Sequence, residues 1–158
     1  MNIHQALKNS YKLLRNRFET YKLDCEILLA NTLQMKNRLD LFLNLEKNLS
    51  KNEINEFFNS IQERRKLKPI SKIIKKKEFW SLDIDVSKNV LIPRPETEVL
   101  LHLVDKVLKN RLKIKFLDIG CGSGCLTLAL LKIFLDSKGE AFDSSKESIL
   151  NTKLNLKI

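Results

Sequence analysis

The chain has 158 residues, with 29 lysines and arginines against 19 aspartates and glutamates, a net charge of +10 and a hydrophobic share of 43%. This length suits one medium domain or two small ones, with enough apolar residues for a packed core. No run of eighteen apolar residues occurs and Met1 to Ser10 lacks the apolar centre of a secretory signal, so the expectation is a soluble cytoplasmic protein. Cys25, Cys121 and Cys125 are an odd count without metal-type pairing, and His4 and His102 lie far from them in sequence. Reduced thiols and no metal site are expected.

In chain order, Ile3, Ala6, Leu7, Leu13 and Leu14 suggest an opening helix or two with a break near the Asn-rich stretch. Leu23, Ile27, Leu28, Ala30 and Leu33 outline a second amphipathic helix, and Leu39 to Leu45 a shorter one. Ser50-Lys51-Asn52-Glu53 is a capping box in which serine and glutamate each satisfy an exposed N–H, and Ile54, Phe57, Phe58 and Ile61 follow at helical spacing. Together these make a small helical bundle over 1–69, closed by Pro69.

The period then changes. Trp80, Leu82, Ile84 and Val86 alternate with Ser81, Asp83, Asp85 and Ser87, the pattern of a half-buried strand. Ile70 through Ile74 would be its antiparallel partner across a lysine-rich turn, giving a β-hairpin linker over 70–92. Arg64, Arg65, Lys66, Lys68, Lys72, Lys75, Lys76 and Lys77 cluster here beside Phe79 and Trp80; a solvated basic face is the default reading and weak RNA or ribosome contact the alternative. In Val90 to Glu98, Pro93 and Pro95 flank Arg94 and stiffen the loop. Pro95 fits the first turn of a helix carrying Val99, Leu100, Leu103, Val104 and Val107, with Glu96 and Glu98 complementing its N-terminal dipole.

A third segment, 93–158, carries the most informative run. Ile114 to Leu117 reads as a strand, Asp118-Ile119-Gly120-Cys121-Gly122-Ser123-Gly124 as a loop, and Cys125 through Phe134 as an apolar helix. Alternate glycines let the backbone turn sharply and bring its N–H groups close to a ligand. The dinucleotide fingerprint wants its third glycine or an alanine five residues after the first, and Cys125 stands there. Gly124 as third glycine, with Asp118 two residues before the first, resembles instead the cofactor loop of S-adenosylmethionine-dependent methyltransferases. Gly139 to Asp143 reads as a second strand ending in a carboxylate able to accept hydrogen bonds from ribose hydroxyls.

Leu23 to Ala30, then Leu91-Ile92-Pro93-Arg94-Pro95-Glu96-Thr97-Glu98, then the Asp118 to Gly124 loop, in that order, resemble the protein release factor glutamine methyltransferase family over almost the whole chain. The resemblance implies an α/β fold: an N-terminal helical bundle, a β-hairpin linker and the first part of a Rossmann-like class I methyltransferase sheet. It implies methyl transfer from S-adenosylmethionine to the glutamine side-chain amide in the Gly-Gly-Gln motif of peptide chain release factors. Asp118, Gly120, Cys121, Gly122, Ser123, Gly124 and Asp143 would hold the cofactor. The bundle would recognise the release factor, and Pro93, Arg94, Pro95 and Glu96 would border the substrate. The family also places an Asn-Pro-Pro-Tyr loop after a later strand, and no Asn-Pro-Pro occurs here. No catalytic residue is therefore assigned, and the expectation is a truncated product, inactive alone: a fragment, an interrupted gene or half of a split enzyme. The alternatives are a non-catalytic module binding release factor or RNA, and a methyltransferase acting on a ribosomal protein or a nucleic-acid amine.

Overall fold

The computed structural model describes residues 1–108, 111 and 113–157; Ile158, the expected end of the third segment, lies outside them. The chain divides into two compact units, Met1–Ile74 and Lys75–Ile158, and mixes helices with two small sheets in an α/β arrangement.

The first unit is helical. Helix α1 (Ile3–Leu14) is capped by Asn2, whose side chain accepts from the Gln5 N–H at 2.9 Å while the Gln5 side chain accepts from the Asn2 N–H at 3.1 Å. It runs unbroken, burying Ile3, Ala6, Leu7, Ser10 and Leu14, so the expected break is absent and Leu13 faces outward. Helix α2 (Tyr21–Thr32) buries Leu28 and Ala30 as expected, but Leu23 is exposed and the buried face extends to Asp24, Cys25, Glu26 and Leu29. The buried carboxylates tolerate this because they are partnered. Asp24 accepts from Arg64 Nε at 2.7 Å and from the Thr20 hydroxyl at 3.1 Å, and Glu26 accepts from Tyr11 and Arg38.

Helix α3 (Asp40–Leu43) is a single turn burying Leu41. Helix α4 (Lys51–Arg65) begins at the Ser50–Glu53 capping box, with bonds of 3.2 and 2.7 Å, and buries Phe57 and Ile61. Pro69 opens a helix rather than closing the bundle: its carbonyl accepts from the N–H groups of Lys72 and Ile73, and Ile70–Ile74 forms helix α5. The expected strand over Ile70 to Ile74 is thus corrected. Proline's fixed φ and missing donor suit a first helical turn, and Ile70, Ile73 and Ile74 then pack at helical spacing on the core of α1, α2 and α4.

In the second unit, strands β1 (Lys76–Phe79) and β2 (Leu82–Asp85) form the hairpin, with Lys76 opposite Asp85 and Phe79 opposite Leu82. Trp80 and Ser81 form its two-residue turn with φ of +52° and +53°, the sign a type I′ turn requires at both positions. Trp80 therefore belongs to the turn rather than to the expected alternating strand, whereas Ile84 and Val86 are fully buried. A short 3-10 turn (Pro95–Thr97) leads into α6 (Glu98–Leu108). Strand β3 (Lys115–Ile119), helix α7 (Cys125–Ile133) and strand β4 (Lys138–Phe142) form a β-α-β unit with parallel strands, running from Lys115 opposite Lys138 to Ile119 opposite Phe142. Helix α8 (Lys146–Asn155) follows, unanticipated from the sequence. Phe79, Ile84, Val86, Val90, Leu101 and Ala129 form this unit's core.

Candidate functional site

Strand β3 carries Asp118 to the edge of a turn in which Gly120, Gly122 and Gly124 all adopt positive φ, +83°, +55° and +78°. The N–H groups of Gly120 and Cys121 both donate to the Phe142 carbonyl, at 2.8 and 3.0 Å, so the loop starts by hooking over the end of β4. The Gly124 N–H then donates to the Cys121 carbonyl at 2.7 Å, and Gly124 starts α7 from the left-handed region. A Cβ added at Gly120 or Gly122 would meet nothing within 4 Å, so the loop's outer surface there is bare main chain. Cys121 and Ser123 point the other way and are buried.

Two carboxylates close the loop. Asp118 Oδ2 accepts from the Thr127 hydroxyl at 2.6 Å, tying the end of β3 to the first turns of α7. Asp143 follows β4; its Oδ1 accepts from the Ser145 N–H at 2.8 Å and its Oδ2 from the Gly122 N–H at 2.9 Å. Those two main-chain donors, Ser145 first, hold the Asp143 carboxyl below the usual aspartate range, so it is ionised across the neutral range. Each carboxylate oxygen has a second lone-pair position, so Asp143 retains capacity for further donors. Beside them the Cys125 thiol is pushed up by burial, which disfavours its thiolate.

These bonds bring Gly120 to Gly124 and Asp143 into one network, while Asp118, just before the loop, is tied to Thr127 of α7 instead. Pro93, Arg94, Pro95 and Glu96 are not part of it. Pro93 is buried, while Arg94, in extended backbone, Pro95 and Glu96 are exposed. That segment is anchored at the hairpin: Glu98 Oε1 accepts from the Trp80 N–H at 2.9 Å, and the Trp80 ring meets His102 edge-on at 4.6 Å.

Sequence reasoning missed the floor of the site. Thr152, Asn155 and Asn151, all buried on α8, reach under the glycine loop and β2. The Thr152 hydroxyl donates to the Gly122 carbonyl at 3.2 Å and lies 3.4 Å from Cys121 Sγ. Asn155 Nδ2 donates to the Ser123 carbonyl at 2.8 Å. The legible signal was the helix start alone, Ser145, whose hydroxyl accepts from the Ser148 N–H at 3.3 Å. Among the described residues no group of three or more histidine, cysteine or acidic side chains could hold a metal ion, and no helix is long and apolar enough to cross a membrane.

A helical unit precedes a β-α-β segment whose first strand leads through a glycine turn into a helix, the α/β architecture in which ligands gather at the carboxyl ends of strands. Residues 5–74 match the PrmC N-terminal domain family. Curated relatives extend the likeness past that domain. The release factor glutamine methyltransferase of Coxiella burnetii is 36% identical over 157 residues, 99% of this chain and 56% of the relative. That of Buchnera aphidicola from Schizaphis graminum is 39% identical over 156 residues, 98% of this chain and 55% of the relative. That of Clostridium acetobutylicum is 36% identical over 156 residues, 98% and 54%. The chain is thus similar, along nearly its whole length, to these release factor glutamine methyltransferases, and it spans about half the length of the curated relatives it matches.

Proposed function

We propose that this chain serves methyl transfer from S-adenosylmethionine to the glutamine side-chain amide of peptide chain release factors. The helical unit, with α5 extending it from the expected 1–69 to Ile74, would recognise the substrate, and the second unit, hairpin included, would be part of a Rossmann-like cofactor domain. The observation that carries the reading is the closed network of the glycine loop with Asp143, in a chain whose relatives are named for this reaction.

The fit rests on the loop's shape. Bare main chain at Gly120 and Gly122 leaves room for a close ligand, and Asp143 stays ionised and can accept further hydrogen bonds, as ribose hydroxyls require. Gly120, Gly122, Gly124, Asp118 and Asp143 would hold the cofactor, with Cys121 and Ser123 shaping the loop from within. When bound, the cofactor supplies an electrophilic methyl group on a sulfonium. The amide nitrogen is a poor nucleophile because its lone pair is delocalised into the carbonyl, so rate must come from holding it in line and accepting from its N–H groups. No residue of this chain is assigned that accepting role; Pro93 to Glu96 would border the substrate.

The test has two arms. Calorimetric titration of S-adenosylmethionine into the chain is expected to give saturable binding that Asp143→Ala weakens, and the absence of binding would overturn the cofactor reading. Labelled cofactor offered with purified release factor, ribosomal protein and RNA side by side to a longer chain carrying these residues is expected to label the release factor alone; labelling of protein or RNA in its place would reassign the substrate.

A further inference from the structure

Helix α8 buries its polar side and exposes Leu150 and Leu154, the reverse of an ordinary surface helix. The buried polar groups are almost fully used. Asn155, 0% exposed, donates from Nδ2 to the Ser123 carbonyl at 2.8 Å and to the Asp85 carbonyl at 3.0 Å, and accepts at Oδ1 from the Asp85 N–H at 2.8 Å. Asn151, also 0% exposed, donates to the same Asp85 carbonyl at 2.7 Å and accepts from the Lys88 N–H at 3.3 Å. Thr152 donates to the Gly122 carbonyl, and its methyl would lie 2.8 Å from a Cβ added at Gly124. Two consecutive carbonyls of the glycine loop, Gly122 and Ser123, are therefore drawn down onto one helix, and that helix grips the end of β2 with the same asparagine.

We propose that Asn155 and Thr152 are positioning residues for the glycine loop: they fix the direction of the Gly122 and Ser123 carbonyls, and through Asp85 they couple the loop to the hairpin. Turning these carbonyls inward sets the plane of each following peptide, so it sets where the Ser123 N–H points and holds the Gly124 N–H on the Cys121 carbonyl. A loop whose amides are preset loses less freedom when it closes on a ligand, so the contribution appears as affinity. The inference rests on the cofactor reading of the loop, and its test is built to fail separately.

In the full chain, Thr152→Val removes the hydroxyl at nearly constant volume and Thr152→Ser keeps it. Thr152→Val is expected to weaken S-adenosylmethionine binding about five-fold and Asn155→Ala about ten-fold or more, with Thr152→Ser near the parent value, since each bond is a modest net term. Hydrogen exchange supplies a readout independent of the cofactor. Thr152→Val and Asn155→Ala are expected to speed exchange at the Gly122 and Gly124 amides while β3 and α7 amides keep their protection. If the parent chain binds no cofactor, the cofactor reading falls and exchange alone decides the positioning role. Unchanged loop exchange in folded variants, or a Thr152→Ser loss equal to that of Thr152→Val, would overturn it. Should Asn155→Ala not fold, the threonine pair carries the same decision.

Discussion

At the scale of single residues, the glycines of the loop are required for two different reasons. Gly122 stands in open space, so its need is conformational: φ of +55° disfavours any residue with a Cβ. Gly124 adds a steric demand, because a Cβ there would fall 2.8 Å from Thr152 Cγ2, on a buried side chain with little room to yield. Gly122→Ala is therefore expected to cost about 1–2 kcal/mol from backbone strain alone. Gly124→Ala should cost that plus about 1–3 kcal/mol of overpacking. Urea unfolding of the two variants measures the difference, and equal costs would show that Thr152 does not confine the loop. Gly139 illustrates a third demand, on space alone: in β4 it lies opposite Phe116, whose ring is 2.2 Å from the place a Cβ would take. The spacing of glycines was legible in the sequence. Which of them serves conformation and which serves packing was not, because the packing partners are contributed by Thr152 and Phe116, 28 and 23 positions away.

At the scale of elements, periodicity located most helices and the glycine turn, and it failed where polar residues face inward. The Ser50 capping box gave α4 with its start, since both bonds of the box are local and need no tertiary partner. Helix α2 was found and Leu28, Ala30 and Leu33 lie on the core as expected, yet Leu23 is exposed and the buried face widens to take in Asp24 and Glu26. Helix α8 was overlooked for the same reason, its buried face being Ser148, Asn151, Thr152 and Asn155. Pro69 was read as a stop because proline both ends and begins helices, and only the carbonyl bonds to Lys72 and Ile73 decide between them.

The widened buried face of α2 makes a measurable claim. Arg64 holds Asp24, with side chains only 15% and 7% exposed, and its guanidinium carbon lies 3.7 Å from the centre of the Phe18 ring. Removing only the cation leaves a buried carboxylate with one neutral partner. Arg64→Met should destabilise the helical unit by about 3 kcal/mol, whereas Arg64→Met with Asp24→Leu should recover most of the loss. Chemical denaturation of the single and double variants tests this, and a double variant no better than the single would show that the pair is not coupled as the structure has it.

At the scale of the molecule, the second unit has a sheet of only two parallel strands among its described residues. Parallel strands are ordinarily covered on both faces, because their crossover helices bring apolar sides to the sheet. Here α7 supplies one crossover, and Leu117, Ile119 and Phe142 remain 56%, 79% and 53% exposed. Leu117 and Ile119 are two apart, so they share one face of β3, and Phe142 is the strand partner of Ile119. On α6, Leu103 and Val107 are also exposed, to 54% and 79%. An apolar surface of this kind recruits other apolar material, whether another chain or a dye. The 158-residue chain is therefore expected to enhance the fluorescence of a hydrophobic dye such as ANS while its circular dichroism shows folded helix. Leu117→Lys with Ile119→Lys should lower that fluorescence without changing the helical signal, since both side chains project away from the packed core. A dye signal absent from the parent, or untouched by the double substitution, would mean that this face of β3 is covered in solution.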